Sequence, residues 1–365
     1  MPLLPFVGHE EAREQVGRAI QAGAIPQTLL IAGPEGVGKQ RFALWIAQRL
    51  VCTKAGSLEP CGHCPGCRKV LGLAHPDVHW FVPIQRPKAG ELDRQVEEAA
   101  EVLAELMEER RQRPLWLEPD GMWGHGVPSA RLLLRRLVLT PVEATRKVFI
   151  LGDAERLVVQ TDATDAANSL LKALEEPAAD TVMILTATDP RRLLPTIQSR
   201  AVLLRLGRLS DEQVRDFLVA HLEPRPAASA LAGRVAAAEG SIGAALAEDG
   251  SGAKYREAAA GVIEAALEKG GARYERALRQ PPWQARGDFA GMLDALSALL
   301  ADAARERTGE PPRRAVPKVL KGRDLTGLVT AAEKVQVARE AAQGNVNPQL
   351  LLATLALELE EALCG

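Results

Sequence analysis

The chain has 365 residues, more than one ordinary hydrophobic core contains, which predicts two or three domains. Its hydrophobic fraction of 47% and charged fraction of 25% are typical of a soluble protein, and no apolar run reaches the length of a membrane span. The formal charge of -2 excludes a strong global field for nucleic acid, so any DNA contact must come from a local patch or be shared with partners. The first residues lack a basic and apolar leader pattern, and we expect a cytoplasmic protein.

A phosphate-binding loop is predicted close to the start of the chain. The apolar run TLLIAG (28–33) predicts a strand, GPEGVGKQ (33–40) follows it, and the next residues have the spacing of a helix. In the pattern G-x-x-x-x-G-K-[ST], backbone amides and the lysine hold phosphates and the final hydroxyl binds Mg²⁺. The candidate cofactor-binding residues are Gly33, Gly36, Gly38 and Lys39. Gln40 replaces the hydroxyl residue, so we expect at most weak nucleotide binding that does not depend on Mg²⁺.

A cysteine cluster follows the helix. Four of the five cysteines are candidate metal ligands with the spacing C-x8-C-x2-C-x2-C, namely Cys52, Cys61, Cys64 and Cys67. Four thiolates complete a tetrahedral Zn²⁺ site and leave no open position, so the metal would be structural. His63 and His75 lie close by in the sequence but are not needed as ligands. A zinc ribbon that binds nucleic acid is the competing interpretation, although few positive charges flank the cysteines.

Apolar strands separated by helices predict a mostly parallel sheet covered on both faces. After the strand at 28–33, further strands are predicted at 78–82, 147–151, 181–187 and 201–206. The segment 84–127 does not follow this alternation of strands and helices. Its middle predicts an amphipathic helix and its ends predict linkers. We interpret it as a helical insertion packed on its own domain, with a partner-binding helix as the alternative.

Strand signals stop after Leu209, and alanine-rich helices continue to the end of the chain. Ser210 and Gln213 form a capping box that predicts the first of these helices. Asn347 as N-cap and Pro348 at the first helical position predict the last one. We therefore predict a small helical domain at 207–252 and a second helical domain at 253–365.

Five stretches together resemble the bacterial DNA polymerase III clamp-loader subunits of the AAA+ class: the loop with its cysteine module, AHPDV (74–78), NSLLKALEEP (168–177), TATDPRRLLPTIQSR (186–200) and NVNPQL (345–350). The resemblance implies an α/β AAA+ P-loop domain at 1–206, with the zinc module at 52–67 and the insertion at 84–127. It implies a lid at 207–252 and a collar at 253–365 that joins a ring of five subunits.

In that family the motor subunits hydrolyse ATP, whereas delta-prime subunits are rigid stators. By resemblance, Gly152 takes the place of the Walker B Asp that holds Mg²⁺, and Asp153 the place of the Glu that positions water; in the alternative register, Ala154 replaces that Glu. Gly243 stands where motor subunits carry the sensor 2 arginine. Phosphoryl transfer depends on positioned charge, so these losses predict that the chain has no turnover of its own.

QSRAV (198–202) resembles the family's S-R-C motif, in which the arginine reaches into a neighbouring subunit's ATP site. By resemblance, Arg200 is an arginine finger acting in trans, preceded by Ser199. The implied partners are the gamma/tau and delta subunits and the sliding clamp, with primed DNA contacted indirectly and no membrane. The alternatives are an ATP-hydrolysing gamma/tau motor subunit, a P-loop kinase, and a zinc-ribbon DNA-binding protein.

Overall fold

The computed structural model describes the chain apart from residues 1, 2, 5, 55, 86, 89, 114–122, 158–177, 179, 223–226, 247–250, 269–270, 282–287, 343–345 and 365. The motif at 168–177 and the first residue of the motif at 345–350 lie outside the described residues. The described residues form two compact units. The first comprises those of 1–225 together with 238–244, and the second those of 226–237 and 245–364.

A parallel sheet forms the centre of the first unit. The strands along the chain are β1 (Thr28–Ala32), β2 (Val78–Phe81), β3 (Ile84–Gln85), β4 (Trp123–Gly124), β5 (Lys147–Leu151), β6 (Thr181–Ala187) and β7 (Val202–Arg205). Five of them form one sheet in the order β2-β5-β6-β1-β7, and every neighbouring pair is parallel. The prediction of a mostly parallel sheet is therefore confirmed, with strand ends within about one residue of those predicted from the sequence.

Side chains of the central strands alternate between two apolar layers, as the period of a strand requires. Leu30, Phe149 and Met183 belong to the layer beneath the insertion. Leu29, Val148 and Val182, their neighbours in sequence, belong to the layer beneath the helix that follows the loop. The sheet is thus buried on both faces, which explains why its strands read as continuous apolar runs.

Helices cover both faces of this sheet. Within the described residues, the first seven helices in chain order are α1 (Glu10–Gln21), α2 (Lys39–Val51), α3 (Pro65–Leu71), α4 (Leu92–Gln112), α5 (Val127–Leu137), α6 (Pro195–Gln198) and α7 (Asp211–His221). Short 3₁₀ turns occur at Ala154–Leu157 and Pro190–Arg192. The predicted capping box is present at the start of α7, where Ser210 and Gln213 each bond to the other's backbone N–H.

The insertion contains the predicted amphipathic helix, α4. Its buried face, which includes Val96, Ala99 and Leu103, joins the core layer on the sheet, as expected of an insertion packed on its own domain. The prediction that both ends are linkers was wrong in part, because β3 and β4 pair antiparallel. Each of these strands has only two residues, too few to show any periodicity in the sequence.

The remaining helices are α8 (Ala228–Ala238), α9 (Ile242–Leu246), α10 (Ser251–Leu267), α11 (Ala272–Leu278), α12 (Asp288–Thr308), α13 (Leu325–Ala342) and α14 (Pro348–Cys364). In the second unit, α10 and α12–α14 share one apolar core that includes Leu293, Leu328 and Leu355. The Asn347 side chain accepts a bond from the Gln349 N–H at 2.8 Å, which confirms the predicted cap of α14. Among the described helices, none combines the length and the apolar character that crossing a bilayer requires.

Candidate nucleotide loop, arginine and cysteine cluster

The predicted phosphate-binding loop connects β1 to α2 at the carboxyl edge of the sheet. Gly36 and Gly38 have φ angles of 70° and 99°, which residues with a Cβ rarely adopt. A Cβ on Gly33 would lie 2.4 Å from the Leu206 carbonyl oxygen, so that position also requires glycine. The backbone shape that the motif demands at the start of a helix is therefore retained.

Lys39, the lysine of the loop, is 6% exposed and is held by oxygen atoms of the protein. Its Nζ donates to the carbonyl oxygens of Gly33 at 3.0 Å and Pro34 at 2.9 Å, and contacts the Thr188 hydroxyl at 3.3 Å. Burial lowers the pKa of the Lys39 ammonium, and three nearby carboxylates oppose this effect. A phosphate would therefore have to displace existing hydrogen bonds to reach this ammonium.

Gln40 occupies the hydroxyl position of the motif, and both ends of its amide are engaged. Its Nε2 donates to Oδ2 of Asp153 at 2.9 Å. Its Oε1 accepts a hydrogen bond from the indole Nε1 of Trp80 at 3.1 Å. The amide thus lies between a carboxylate and an indole, and it presents N–H groups, rather than a hydroxyl oxygen, towards the acidic group.

Gly152 follows β5 at the position expected for a Walker B carboxylate. A Cβ there would lie 2.5 Å from Oε1 of Gln40, so the Gln40 amide takes the space that a side chain would need. Asp153 has a φ of 50°, and its N–H donates to the Thr186 hydroxyl at 3.0 Å. The substitutions at 40 and 152, which are separate in the sequence, therefore meet in one place.

Glu155 is a buried acidic residue beside the loop that the sequence reasoning did not single out. It is 5% exposed, and its Oε1 accepts a hydrogen bond from the Thr188 N–H at 2.7 Å. Burial raises the pKa of the Glu155 carboxyl, and the charge of Asp153 raises it further. Its position two residues after Asp153 in the GDAE stretch was the available signal.

The turn at 241–243 lies directly against the loop. The Ser241 hydroxyl donates to the Glu35 carbonyl oxygen at 2.9 Å, and the Gly243 N–H donates to the Gly36 carbonyl oxygen at 3.0 Å. A Cβ on Gly243 would lie 2.7 Å from Cα of Gly36. An arginine at position 243 therefore does not fit while this contact persists.

Ser199 and Arg200 lie at the amino end of the strands, opposite the carboxyl end where the loop is located. They follow α6 and precede β7, and both are exposed. The Arg200 Nη1 donates to the Thr196 carbonyl oxygen at 2.7 Å. Arg205, at the end of β7, pairs with Ala32, the residue before the loop. The strand β7 covers only Val202–Arg205, about 10 Å at 3.3 Å per residue, and because it runs parallel to β1, Arg200 lies at the amino end of these strands while the loop lies at the carboxyl end.

The four predicted cysteines meet in one cluster. One sulfur atom from each lies within 4.8 Å of the others, and the group is Cys52, Cys61, Cys64 and Cys67. Cys52 lies at the C-terminal cap of α2, and α3 begins after Cys64. His63 is exposed and its Nδ1 contacts the Cys61 carbonyl oxygen, while His75 is buried beside Asp77. Neither histidine belongs to the cluster.

The chemistry of the cluster fits a tetrahedral thiophilic metal. The 3.9 Å between the sulfurs of Cys61 and Cys67 is close to the edge of about 3.8 Å expected for Zn–S bonds of about 2.3 Å. Backbone N–H groups of Cys61, Cys64 and Cys67 each donate to a cluster sulfur at 3.4 Å. These bonds stabilise thiolates in the geometry of a closed metal site.

The pKa values of two thiols of the cluster depart from the ordinary value in opposite directions. Burial opposes ionisation of Cys64, but backbone N–H groups outweigh it and lower the pKa of this thiol to about 6. Burial and the neighbouring sulfurs raise the pKa of Cys67. The raised pKa of Cys67 opposes its ionisation, and a bound thiophilic cation such as Zn²⁺ would offset that effect.

The family model described as "DNA polymerase III, delta subunit" matches residues 8–210. DNA polymerase III subunit delta' of Pseudomonas aeruginosa is 34% identical over 186 residues, which cover 51% of this chain and 43% of that protein. The corresponding subunit of Bacillus subtilis is 28% identical over 203 residues, with coverages of 55% and 48%.

The DNA polymerase III subunit gamma/tau of Mycobacterium tuberculosis is also similar, at 28% identity over 194 residues. That match covers 53% of this chain and 26% of the gamma/tau protein. The chain thus spans less than half the length of each of these three relatives.

Proposed function

The chain belongs to the clamp-loader delta-prime family of DNA polymerase III, and from that premise we propose that it is a non-hydrolysing stator subunit of a clamp loader. The observation that carries the proposal is the Gln40 amide bonded to Asp153 beside Gly152. Three parts of an ATPase site are replaced there: the hydroxyl, the Walker B carboxylate and, at Gly243, the sensor 2 arginine. Each such part is typically worth orders of magnitude in rate, so turnover is not expected.

The proposed catalytic contribution of the chain is made to a neighbouring subunit. Arg200 is exposed and lies at the amino end of the strands, whereas its own loop lies at their carboxyl end. An arginine delivered in trans to the γ-phosphate region of another subunit is worth ~10³ or more in rate. Ser199 precedes it, and its hydroxyl donates to the Thr196 carbonyl oxygen, which helps to fix this turn. The nucleotide on which Arg200 acts would be held by a gamma/tau subunit.

The domain assignment is part of the same proposal. Residues 1–206 would form the AAA+ domain, 207–252 the lid, and 253–365 the collar that joins gamma/tau and delta subunits in a ring of five. The ring would place the sliding clamp on primed DNA. The four cysteines would hold a structural Zn²⁺ that stabilises the first domain without taking part in ATP chemistry.

The experiment is an ATPase assay of the purified chain alone, and then of its complex with the cognate gamma/tau and delta subunits, clamp and primed DNA. The proposal expects no turnover by the chain alone and a loss of about 10³-fold at the affected site when Arg200 is replaced by alanine. Arg200→Lys should restore little, because an ammonium does not reproduce the planar guanidinium. Arg215→Ala, an exposed arginine on α7, is the matched control and should leave the rate unchanged.

The similarity to gamma/tau proteins makes an ATP-hydrolysing motor subunit the second candidate. Robust turnover by the chain alone would establish that candidate and overturn the stator proposal. If the complex loses no activity when Arg200 is removed, the trans arginine is wrong even if the chain itself is inactive.

A further inference from the structure

The insertion helix α4 ends beside the degenerate nucleotide loop. Its last turns carry Arg110, which is only 7% exposed. The guanidinium carbon of Arg110 lies 5.0 Å from the centre of the Trp80 ring, in the geometry of a cation–π contact. The insertion therefore contacts the outer strand of the sheet through a charged group as well as through the apolar face of α4.

Trp80 extends this contact to the loop. It lies on β2, and its indole N–H donates to Oε1 of Gln40 at 3.1 Å. The Gln40 amide nitrogen in turn donates to Asp153 at 2.9 Å. Three side-chain contacts thus run from the insertion to the acidic residue that follows β5.

These contacts fix the orientation of the Gln40 amide. An indole offers only a donor and a carboxylate only acceptors, so the amide oxygen must face Trp80 and the amide nitrogen must face Asp153. In that orientation the amide fills the space over Gly152, where a Cβ would lie 2.5 Å from Oε1. Trp80 therefore holds Gln40 in the space that a metal-binding hydroxyl and an aspartate would otherwise share.

We propose that Arg110 and Trp80 are positioning residues through which the insertion keeps Gln40 wedged in the metal-binding position of the loop. This gives helix α4 of the insertion a role in keeping the loop closed to magnesium nucleotide. The inference rests on the proposed absence of turnover, which it explains by an occupied site rather than only by missing ligands. Removing the indole N–H releases one end of the amide, which can then swing away from the loop.

The test is a double-mutant cycle on nucleotide affinity, measured with the purified full chain, N-methylanthraniloyl-ATP and Mg²⁺. Trp80→Phe keeps an aromatic ring beneath Arg110 but removes the N–H donor. In the presence of Gln40, this change should tighten binding by about 3- to 10-fold, the equilibrium effect of one net hydrogen bond. In a Gln40→Thr background it should change affinity by less than about 2-fold, because no amide remains to be held.

Arg110→Met should tighten binding in the same direction, and Arg94→Met, at an exposed position of the same helix, is the matched control. A purely structural role for Trp80 would give the same effect in both backgrounds, which would overturn the proposal. Tight magnesium-dependent binding by the unmodified chain would also overturn it. The ATPase assay of the Arg200 variant is independent of this cycle. The stator proposal can therefore stand if Trp80 and Gln40 show no coupling in nucleotide affinity. Coupling between them can likewise be found even if replacing Arg200 does not change the ATPase rate.

Discussion

The backbones of Gly36 and Gly243 touch: the Gly243 N–H donates to the Gly36 carbonyl oxygen at 3.0 Å, and neither residue has room for a side chain. A Cβ on Gly243 would lie 2.7 Å from Cα of Gly36, closer than real Cβ contacts. We expect Gly243→Ala to destabilise the first unit by about 1–3 kcal/mol, because backbone must move to accommodate it. Urea denaturation followed by circular dichroism measures this change.

Gly207→Ala is the matched control for this contact. No atom lies within 4 Å of the Cβ that the substitution would add, so stability should change by less than about 0.5 kcal/mol. If Gly243→Ala and Gly207→Ala are equally stable, the contact between the 241–243 turn and the loop does not exist in solution.

The cysteine cluster predicts one bound zinc per chain. Cys64→Ser should abolish zinc in metal analysis of the purified protein and lower the Tm, because a structural site contributes its binding free energy to folding. Cys364→Ser is the matched control, since Cys364 is exposed and lies outside the cluster. Removing the metal by chelation should lower the Tm of the unmodified protein in the same way. A chelated protein with an unchanged Tm would show that the cluster does not stabilise the fold through metal.

The elements that could be predicted from the sequence are those with local signals. The buried strands appear in the sequence as apolar runs. The loop is recognised from a short motif that includes Gly38 and Lys39, and the cysteine cluster is recognised from its spacing. The contacts around the Gln40 amide have no such signal, because Gln40, Trp80 and Asp153 are far apart in sequence and are ordinary residue types. The loop motif identified the substitution at 40 and the resemblance identified those at 152 and 243, but only the fold shows that the first two share one space.

Asp77, in the AHPDV stretch, predicts a pH-dependent contribution to stability. It is 1% exposed, and its carboxylate accepts the N–H groups of Val142, Glu143 and Ala144 at 2.6–2.7 Å. Burial opposes ionisation, but these N–H groups outweigh it and lower the pKa of Asp77. Because the pKa of Asp77 is lower in the folded state than in the unfolded state, its charge stabilises the fold at pH values above the unfolded pKa of about 3.9. This stabilisation is lost as the pH falls through the lower pKa of the folded state.

The measurement is the stability difference between the unmodified chain and Asp77→Asn across pH. The difference should be about 1–3 kcal/mol at pH 7, because an amide cannot accept all three bonds as the carboxylate does, and it should shrink below about pH 4. Asp216→Asn, at an exposed position on α7, is the control and should show no such trend. A difference that grows towards low pH would contradict the assigned role of Asp77.

Asp302 and Arg314 form a buried ion pair in the second unit. Asp302 is fully buried, its Oδ2 lies 3.2 Å from Arg314 Nη1, and its Oδ1 accepts the Arg313 N–H at 2.9 Å. Arg314 also donates to the Ala237 carbonyl oxygen at 2.5 Å. Asp302→Ala should cost about 3–5 kcal/mol, because it removes a fully buried carboxylate that pairs with both Arg305 and Arg314. The control is Asp294→Ala on the same helix, whose pair with Arg339 is partly exposed and should contribute less than about 1 kcal/mol. Urea denaturation of both variants measures the difference, and equal losses would mean that the buried pair is no more important than the exposed one.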